Sequence, residues 1–201
     1  GGRGMRDDNY RRFGREDPVG RKRFLHEVTD IISSLYNCPC IALWTLFNEG
    51  WGQFDAARTS QYVYDLLDNT RVIDHASGWH DQGIGPVRSD HTYYRRYRYR
   101  ADRLGRAVVL SEFGGYNLRI WNHMWNEKDF GYNSCVDEKD LEKQLRDLYT
   151  KQIAPAKKAG LSAAIYTQLT DVEEELNGLV TYDRQVVKLP PETIREIVTG
   201  I

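Results

Sequence analysis

Two glutamates stand at the ends of apolar runs, where an acid group could do chemistry. Glu49 closely follows the run CIALWTLF (residues 40–47), and Glu112 lies near the end of the run AVVLSEF (residues 107–113). Glycine follows each glutamate within two residues, and glycine lets the backbone turn sharply beside an open side chain. Glycosidic bond cleavage needs one acid to protonate the leaving oxygen and one carboxylate to stabilise or capture the sugar cation. A lone glutamate at a strand end can equally be solvated or ion-paired, so the spacing leaves both interpretations open.

The apolar runs are predicted to be strands of one parallel sheet. Short continuous apolar runs that end in polar residues and glycine are typical of strands buried on both faces. Five strands are predicted, at residues 40–47, 71–75, 87–93, 107–113 and 162–169. Catalytic groups in parallel α/β folds lie where strands end and loops begin. The two glutamates are therefore expected to converge at one rim of the sheet.

Helical patterns separate these strands. Asp17 and Pro18 form a helix start, with an N-cap and a proline at the first helical position, and apolar residues recur at helical spacing as far as Leu35. Asp55 is expected to cap a second helix. A third helix begins at Asp137, and a last one covers residues 191–201.

The fold class predicted from this alternation is α/β with a parallel sheet. Residues 1–16 are expected to be irregular, and residues 17–201 to form one domain. In the third helix, Pro155 predicts a bend and Gly160 an end. A closed eight-stranded barrel usually needs about 250 residues, so five strands in 201 residues indicate an incomplete barrel or a smaller open sheet.

Three stretches resemble the catalytic barrel of glycoside hydrolase family 2, which contains β-galactosidases, β-glucuronidases and β-mannosidases. They are WTLFNEGWGQFD (44–55), LSEFGGY (110–116) and YTQLTDVEEELNGLVTYDR (166–184). The resemblance runs from about Asp17 to the C-terminus and implies strands four to eight of a (β/α)8 TIM barrel. It also implies a retaining mechanism, with Glu49 as general acid/base and Glu112 as the nucleophile that forms a glycosyl-enzyme.

The resemblance assigns five further residues to substrate binding. Asn48 would hydrogen-bond the sugar 2-hydroxyl, an interaction that strengthens in the transition state, and Tyr93 resembles a tyrosine that donates to the nucleophile. His91 and Trp79 stand where the family has pocket-lining groups; a satisfied core histidine and plain packing are the alternatives. Better-known members have a tryptophan platform in the last strand, and Tyr166 is the candidate replacement here. This departure leaves the sugar open.

The resemblance also suggests substrates and partners. A β-galactoside is the leading substrate by analogy, with a glucuronide, a mannoside or a non-catalytic carbohydrate-binding barrel as alternatives. No cofactor and no metal are expected, because two carboxylates and water suffice. Besides the carbohydrate substrate, the expected partners are the family's first three barrel strands and β-sandwich domains, which have no counterpart in this sequence. Self-association through exposed sheet edges is a further expectation.

Two other classes of function have weaker support. A metal-dependent barrel hydrolase is suggested by six potential ligands within eighteen residues, Asp74, His75, His80, Asp81, Asp90 and His91, but no H-E-x-x-H or comparable spacing occurs. The segment YYRRYRYR (93–100) interleaves aromatic and basic residues, as single-strand nucleic-acid grooves do. Because the formal net charge is only -1, we expect a solvated helix face or a domain contact there. Neither a nucleic-acid nor a membrane partner is expected.

The missing strands generate the first prediction. Because the arginine and histidine that the family's first three strands bring near the sugar have no counterpart here, the isolated chain should hydrolyse nitrophenyl glycosides weakly or not at all. A turnover assay on the isolated chain measures this directly. Robust hydrolysis would show that the chain needs no further segment.

Overall fold

The computed structural model describes residues 5–200, in which the chain forms two compact units. The first contains the chain up to His91 together with Ala101–Val109, and the second contains Thr92–Arg100 and Leu110 onward. Both are mixed α/β, with short parallel strand pairs. Residues 1–4 of the predicted irregular start and Ile201 of the predicted last helix lie outside the described residues. No helix within residues 5–200 is long and apolar enough to cross a membrane.

In the first unit, helix α1 (Pro18–Leu35) begins as predicted. The Asp17 carboxylate accepts hydrogen bonds from the Val19 and Gly20 amides, both at 2.9 Å. The buried face is narrower than the apolar pattern suggested, because Ile31 and Leu35 are 54% and 40% exposed. Ile32 is the helix residue that is fully buried.

Strands β1 (Leu43–Thr45) and β2 (Val72–Asp74) pair in parallel, with Trp44 opposite Ile73. The prediction of a strand over residues 40–47 was too long. Near the start of that range, the Ile41 carbonyl accepts from the Arg71 guanidinium at 2.9 Å and not from a neighbouring strand. The same guanidinium binds the Tyr36 and Cys38 carbonyls, at 2.6 and 3.2 Å, just before the predicted strand.

Helix α2 (Ala56–Leu66) begins at Asp55, as predicted, but the Asp55 carboxylate does not cap it. That carboxylate accepts from the Tyr10 hydroxyl at 2.7 Å. The amide of Ala56 donates to the buried carboxylate of Asp7 at 2.9 Å. The irregular segment that precedes α1 therefore supplies the capping group, which local sequence could not reveal.

Strands β3 (Val87–Thr92) and β4 (Ala107–Gly114) match their predicted positions. Arg106, just before β4, binds both carboxylates of Asp81 and Asp102, with N···O distances of 2.6 and 2.9 Å. Hydrogen bonding from Arg106 is the main cause that lowers the pKa of Asp102 to about 2. The three side chains fix the loops that flank β3 and β4.

The second unit contains the rest of β4, the edge strand β7 (Leu161–Thr167), and a parallel pair that the sequence did not predict, β5 (Tyr116–Asn117) with β6 (Asn133–Ser134). The prediction of a buried last strand was wrong. Residues 162–165 are exposed, and Ile165 is 56% exposed. The apolar run that suggested burial fits a strand whether or not its faces are covered. The peptide bond that joins β7 to Gln168 is cis.

The long helix predicted from Asp137 is divided in three, as α3 (Glu138–Leu148), a π-helical turn (Tyr149–Ile153) and α4 (Ala154–Ala159), and Gly160 ends it with φ +117°. Pro155 has no N–H and cannot donate to the Lys151 carbonyl one turn earlier. That carbonyl accepts from the Arg96 guanidinium at 3.1 Å. The last helix, α5, covers Pro191–Thr199.

The interleaved segment 93–100 is not helical, so the expected helix face was wrong. Its Tyr97 is buried, and the Tyr97 amide donates to Gln152 at 2.7 Å. The arginines at 95, 98 and 100 are exposed. The buried Tyr97 thus attaches this irregular segment to the π-helical turn.

A buried ion pair holds the segment that follows β7. Lys188 and Asp171 lie 2.8 Å apart with side chains 0% and 1% exposed, and Lys188 also donates to the Leu176 carbonyl. Burial lowers the pKa of Lys188 and raises that of Asp171, while their mutual hydrogen bond opposes both shifts.

Breaking this pair should be costly. Lys188→Met should lower the free energy of unfolding by about 3–5 kcal/mol, because it leaves a buried carboxylate without a counter-charge. The double variant Asp171→Asn/Lys188→Met should recover most of the loss. Urea unfolding measures both, with Lys143→Met on the exposed face of α3 as control. A Lys188→Met cost as small as that of Lys143→Met would contradict the assignment.

Candidate active site

The backbone at Glu49 is fixed by the chain that continues β2. Asn48 forms a parallel bridge with Ser77, the Glu49 amide donates to the Ser77 carbonyl at 2.9 Å, and the Ser77 amide donates to Phe47 at 2.8 Å. Glu49 itself has φ +51°. A non-glycine residue in this left-handed conformation costs on the order of 1–3 kcal/mol and persists only where its surroundings impose it. The strand ends therefore dictate where the carboxyl group points.

His91 from β3 contacts that carboxyl group. Its Nδ1 lies 2.9 Å from Glu49 Oε1, and its Nε2 lies 2.9 Å from the Ser77 hydroxyl. With a neutral imidazole beside an ionised Glu49, Nδ1 carries the proton and the Ser77 hydroxyl donates to Nε2. The His91 side chain is 2% exposed and that of Glu49 22% exposed. Although His91 is a satisfied buried histidine, its partner is the candidate acid.

Glu112 on β4 receives the hydroxyl of Tyr93. The Tyr93 hydroxyl donates to Glu112 Oε2, as the resemblance implied. Burial, followed by this hydrogen bond, raises the pKa of Tyr93 well above its usual value. The phenol therefore stays protonated and keeps donating at any ordinary pH. The Tyr93 ring packs at 5.1 Å on Tyr132, which holds the donor in place.

The turn after Glu112 admits only glycine. Gly114 has φ +111°, and a Cβ there would lie 2.4 Å from the Tyr166 ring. Tyr166 packs edge-on against Phe113 at 5.8 Å, and its buried hydroxyl has no hydrogen-bond partner among the described residues. The ring of Tyr166, the candidate sugar platform, thus packs closely against Phe113 and Gly114.

The remaining predicted site residues lie in loops of the first unit. Asn48 is exposed, and Trp79 is 48% exposed after the turn at Gly78. Gly78 has φ +83°, and a Cβ there would lie 2.5 Å from the His91 ring. Glycine is therefore needed beside His91, just as it is beside Tyr166.

Sequence analysis missed Ser77 and Tyr132, which support His91 and Tyr93. Ser77 lies three residues past the end of β2, and only the parallel pairing with Asn48 shows its role. The sequence carried no signal for it. Tyr132 belongs to an aromatic-rich stretch, and a count of tyrosines near β4 could have drawn attention to it.

The alternative metal ligands mostly contact protein groups. Asp74 accepts from the Ser89 hydroxyl and the Ala76 amide. His75 Nε2 accepts from the Gln82 amide at 3.0 Å and lies 3.1 Å from Asp81. Hydrogen bonds within the first unit therefore account for the clustering of these side chains.

A cavity of about 480 Å³ in the first unit is separate from the candidate residues. It lies beside α2 and β2 and is lined by side chains such as Tyr64, Val72 and Pro86. None of the predicted site residues lines it. The candidate catalytic residues therefore lie at strand ends and not in this cavity.

Comparison with known proteins supports the fold. No family model matches the sequence, and no curated protein matches it. Among solved structures, a Bifidobacterium dentium β-glucuronidase complexed with coumarin-3-O-glucuronide matches with a TM-score of 0.60 at 19% identity, over 92% of this chain and 34% of that one. The chain has the fold of a segment of that enzyme.

Two further β-glucuronidases give the same result. That of Faecalibacterium prausnitzii matches with a TM-score of 0.59 at 18% identity, covering 90% of this chain and 35% of that chain. One from an uncultured Clostridium sp. gives 0.58 at 16% identity, covering 88% and 36%. This chain thus spans about a third of the length of the β-glucuronidases it matches.

The glycine requirement after Glu112 can be tested with a matched control. Gly114→Ala should lower the free energy of unfolding by about 3 kcal/mol, since it combines positive-φ strain of about 1–2 kcal/mol with overlap against the Tyr166 ring. Gly105→Ala should show strain alone, because its φ is +76° and nothing lies within 4 Å of its added Cβ. Thermal or urea unfolding compares them. Equal losses would mean that Tyr166 does not press on this turn.

Proposed function

We propose that this chain carries both catalytic carboxyls of a retaining β-glycosidase, with Glu49 as general acid/base and Glu112 as nucleophile. The observation that carries the proposal is the Tyr93 hydroxyl on Glu112. A buried phenol that cannot ionise stabilises a carboxylate without competing for its proton. Support also comes from the β-glycosidase fold of the solved structures that match the chain.

The reaction would proceed in two displacements. In the first, a Glu112 oxygen bonds to the anomeric carbon while the bond to the leaving oxygen breaks, and Glu49 gives its proton to that oxygen. In the second, Glu49 takes a proton from water, the water oxygen bonds to the anomeric carbon, and the bond to Glu112 breaks. The two inversions give net retention.

The contacts of each carboxyl group suit its role. Tyr93 donates to Oε2 of Glu112, and Oε1 is the oxygen proposed to attack. His91 lies against Oε1 of Glu49, so Oε2 is the oxygen that would carry the transferred proton. These fixed hydrogen bonds lower the entropic part of the activation free energy, because the two carboxyl groups need not be ordered at the moment of reaction.

The proposal includes the surroundings of the pair. Asn48 would bind the sugar 2-hydroxyl, while Trp79 and Tyr166 would line the pocket. The framework would be strands four to eight of a TIM barrel, completed by the family's first three strands and accompanied by its β-sandwich domains. The exposure of Ile165 on β7, at 56%, supports a partner segment at this edge.

Two sugars compete as the substrate. The family resemblance of the sequence favoured a β-galactoside by analogy. The solved structures that match are β-glucuronidases, one with a bound coumarin glucuronide. A glucuronide carries a carboxylate and would require a cation beside the sugar. The same labelling experiment tests both sugars and the nucleophile.

The nucleophile can be trapped even in a slow enzyme. Dinitrophenyl 2-deoxy-2-fluoro-β-glycosides of galactose, glucuronic acid and mannose should add one fluoroglycosyl group to Glu112, because the fluorine slows release more than attack. Intact-mass spectrometry and peptide mapping locate the label. Glu49→Gln should still be labelled, since dinitrophenolate leaves without a proton, whereas Glu112→Gln should not.

The outcome also identifies the sugar. The fluoroglycoside that labels the chain fastest indicates the substrate. Labelling at another residue, or labelling that persists in Glu112→Gln, would refute Glu112 as the nucleophile.

A further inference from the structure

Aromatic rings gather on the segments of the second unit that follow β3, β4 and β7. Tyr94, Trp125 and Phe130 are 62%, 54% and 51% exposed. Contiguous exposed apolar patches on a folded domain mark binding surfaces. We call these three rings, together with Tyr132 and Tyr182, the aromatic rim.

The aromatic rim is continuous with the candidate nucleophile. Tyr93, which donates to Glu112, packs at 5.1 Å on Tyr132. Tyr132 in turn contacts Phe130 at 5.1 Å and stacks on Tyr94 at 6.0 Å. A path of touching rings thus leads from the carboxylate to solvent.

The outer part of the rim is held by pairing between the two loops. Trp125 packs at 5.0 Å on Tyr182. The Phe130 amide donates to the Glu174 carbonyl at 2.7 Å, and the Asn126 side chain donates to the Glu174 carboxylate at 3.0 Å. These bonds fix the rings, so a ligand would not have to order them.

Two ion pairs border the rim. His123 lies 2.8 Å from Asp183, and Arg119 lies 2.9 Å from Asp129. The exposed Glu127, Lys128 and Glu173 add a net negative charge on the same loops, which disfavours an anionic ligand. Flat rings interspersed with polar donors and acceptors suit a neutral ligand that has both apolar faces and hydroxyl groups. Sugar rings have this chemistry.

We propose that the aromatic rim binds the additional sugar units of a neutral β-linked oligosaccharide whose terminal sugar is the one attacked at Glu112. The inference rests on the proposed function, since an enzyme that removes a terminal sugar must hold every other sugar on the leaving-group side. Phe130, with Tyr94 and Tyr132, contacts the sugar next to the cleaved bond. Trp125, with Tyr182, contacts the following one.

Binding to defined oligosaccharides tests the proposal without catalysis. In the Glu112→Gln background, calorimetry with β-1,4-galactotetraose, cellotetraose and the two monosaccharides should show at least one tetrasaccharide bound about tenfold more tightly than its monosaccharide. Trp125→Ala and Phe130→Ala should each weaken tetrasaccharide binding about tenfold and leave monosaccharide binding unchanged. Trp125→Phe should retain most of it.

Tyr64→Ala is the matched control, because Tyr64 is 53% exposed on α2 in the first unit. It should change neither affinity. Tetrasaccharide binding that survives Trp125→Ala and Phe130→Ala, or no binding to either tetrasaccharide, would overturn the inference. So would concentration-dependent dimerisation in sedimentation experiments that Trp125→Ala abolishes, because the rim would then be a protein contact.

The experiment separates the two proposals. If Glu112 is labelled by a fluoroglycoside while the rim variants bind tetrasaccharide normally, the inference fails and the proposed function stands. If the rim variants lose binding but the label falls on a residue other than Glu112, the rim is a sugar-binding surface and the proposed nucleophile fails.

Discussion

The hydrogen bond from Tyr93 to Glu112 is the interaction on which the second unit's candidate chemistry depends. A carboxylate at the end of a buried strand loses hydration, and a hydrogen-bond donor replaces part of the lost water. Burial raises the pKa of Tyr93 and thereby keeps the phenol a permanent donor. Packing against Tyr132 then determines where that donor points. The surrounding rings thus act on the carboxylate through a single hydroxyl.

In the first unit, the equivalent constraint lies in the backbone. Glu49 adopts a positive φ because two hydrogen bonds with Ser77 leave the chain no relaxed alternative. The Ser77 hydroxyl also contacts His91, so one residue positions both the carboxylate and its imidazole partner. Replacing Glu49 by glutamine would retain most of this geometry, whereas a change at Ser77 would disturb both groups.

Local sequence signals predicted much of this structure, and long-range contacts decided the remainder. The Asp17 cap, the helix end at Gly160 and the position of β4 each depend on residues near in sequence, and each was predicted. The cap of α2 was wrong because Asp7 lies 49 residues from Ala56. For the same reason no local pattern indicated the ion pair of Asp171 with Lys188.

The candidate site follows the same division. Glycine after each glutamate was visible in the sequence, and the structure adds the reason: a Cβ at Gly50 or Gly114 would overlap the rings of His80 or Tyr166. Such contacts make glycine necessary for packing as well as for turning. Further along the chain, a Cβ at Gly78 would overlap the ring of His91, the partner of Glu49. These glycines therefore help to position the acid groups, even though glycine has no side chain that could take part in the reaction.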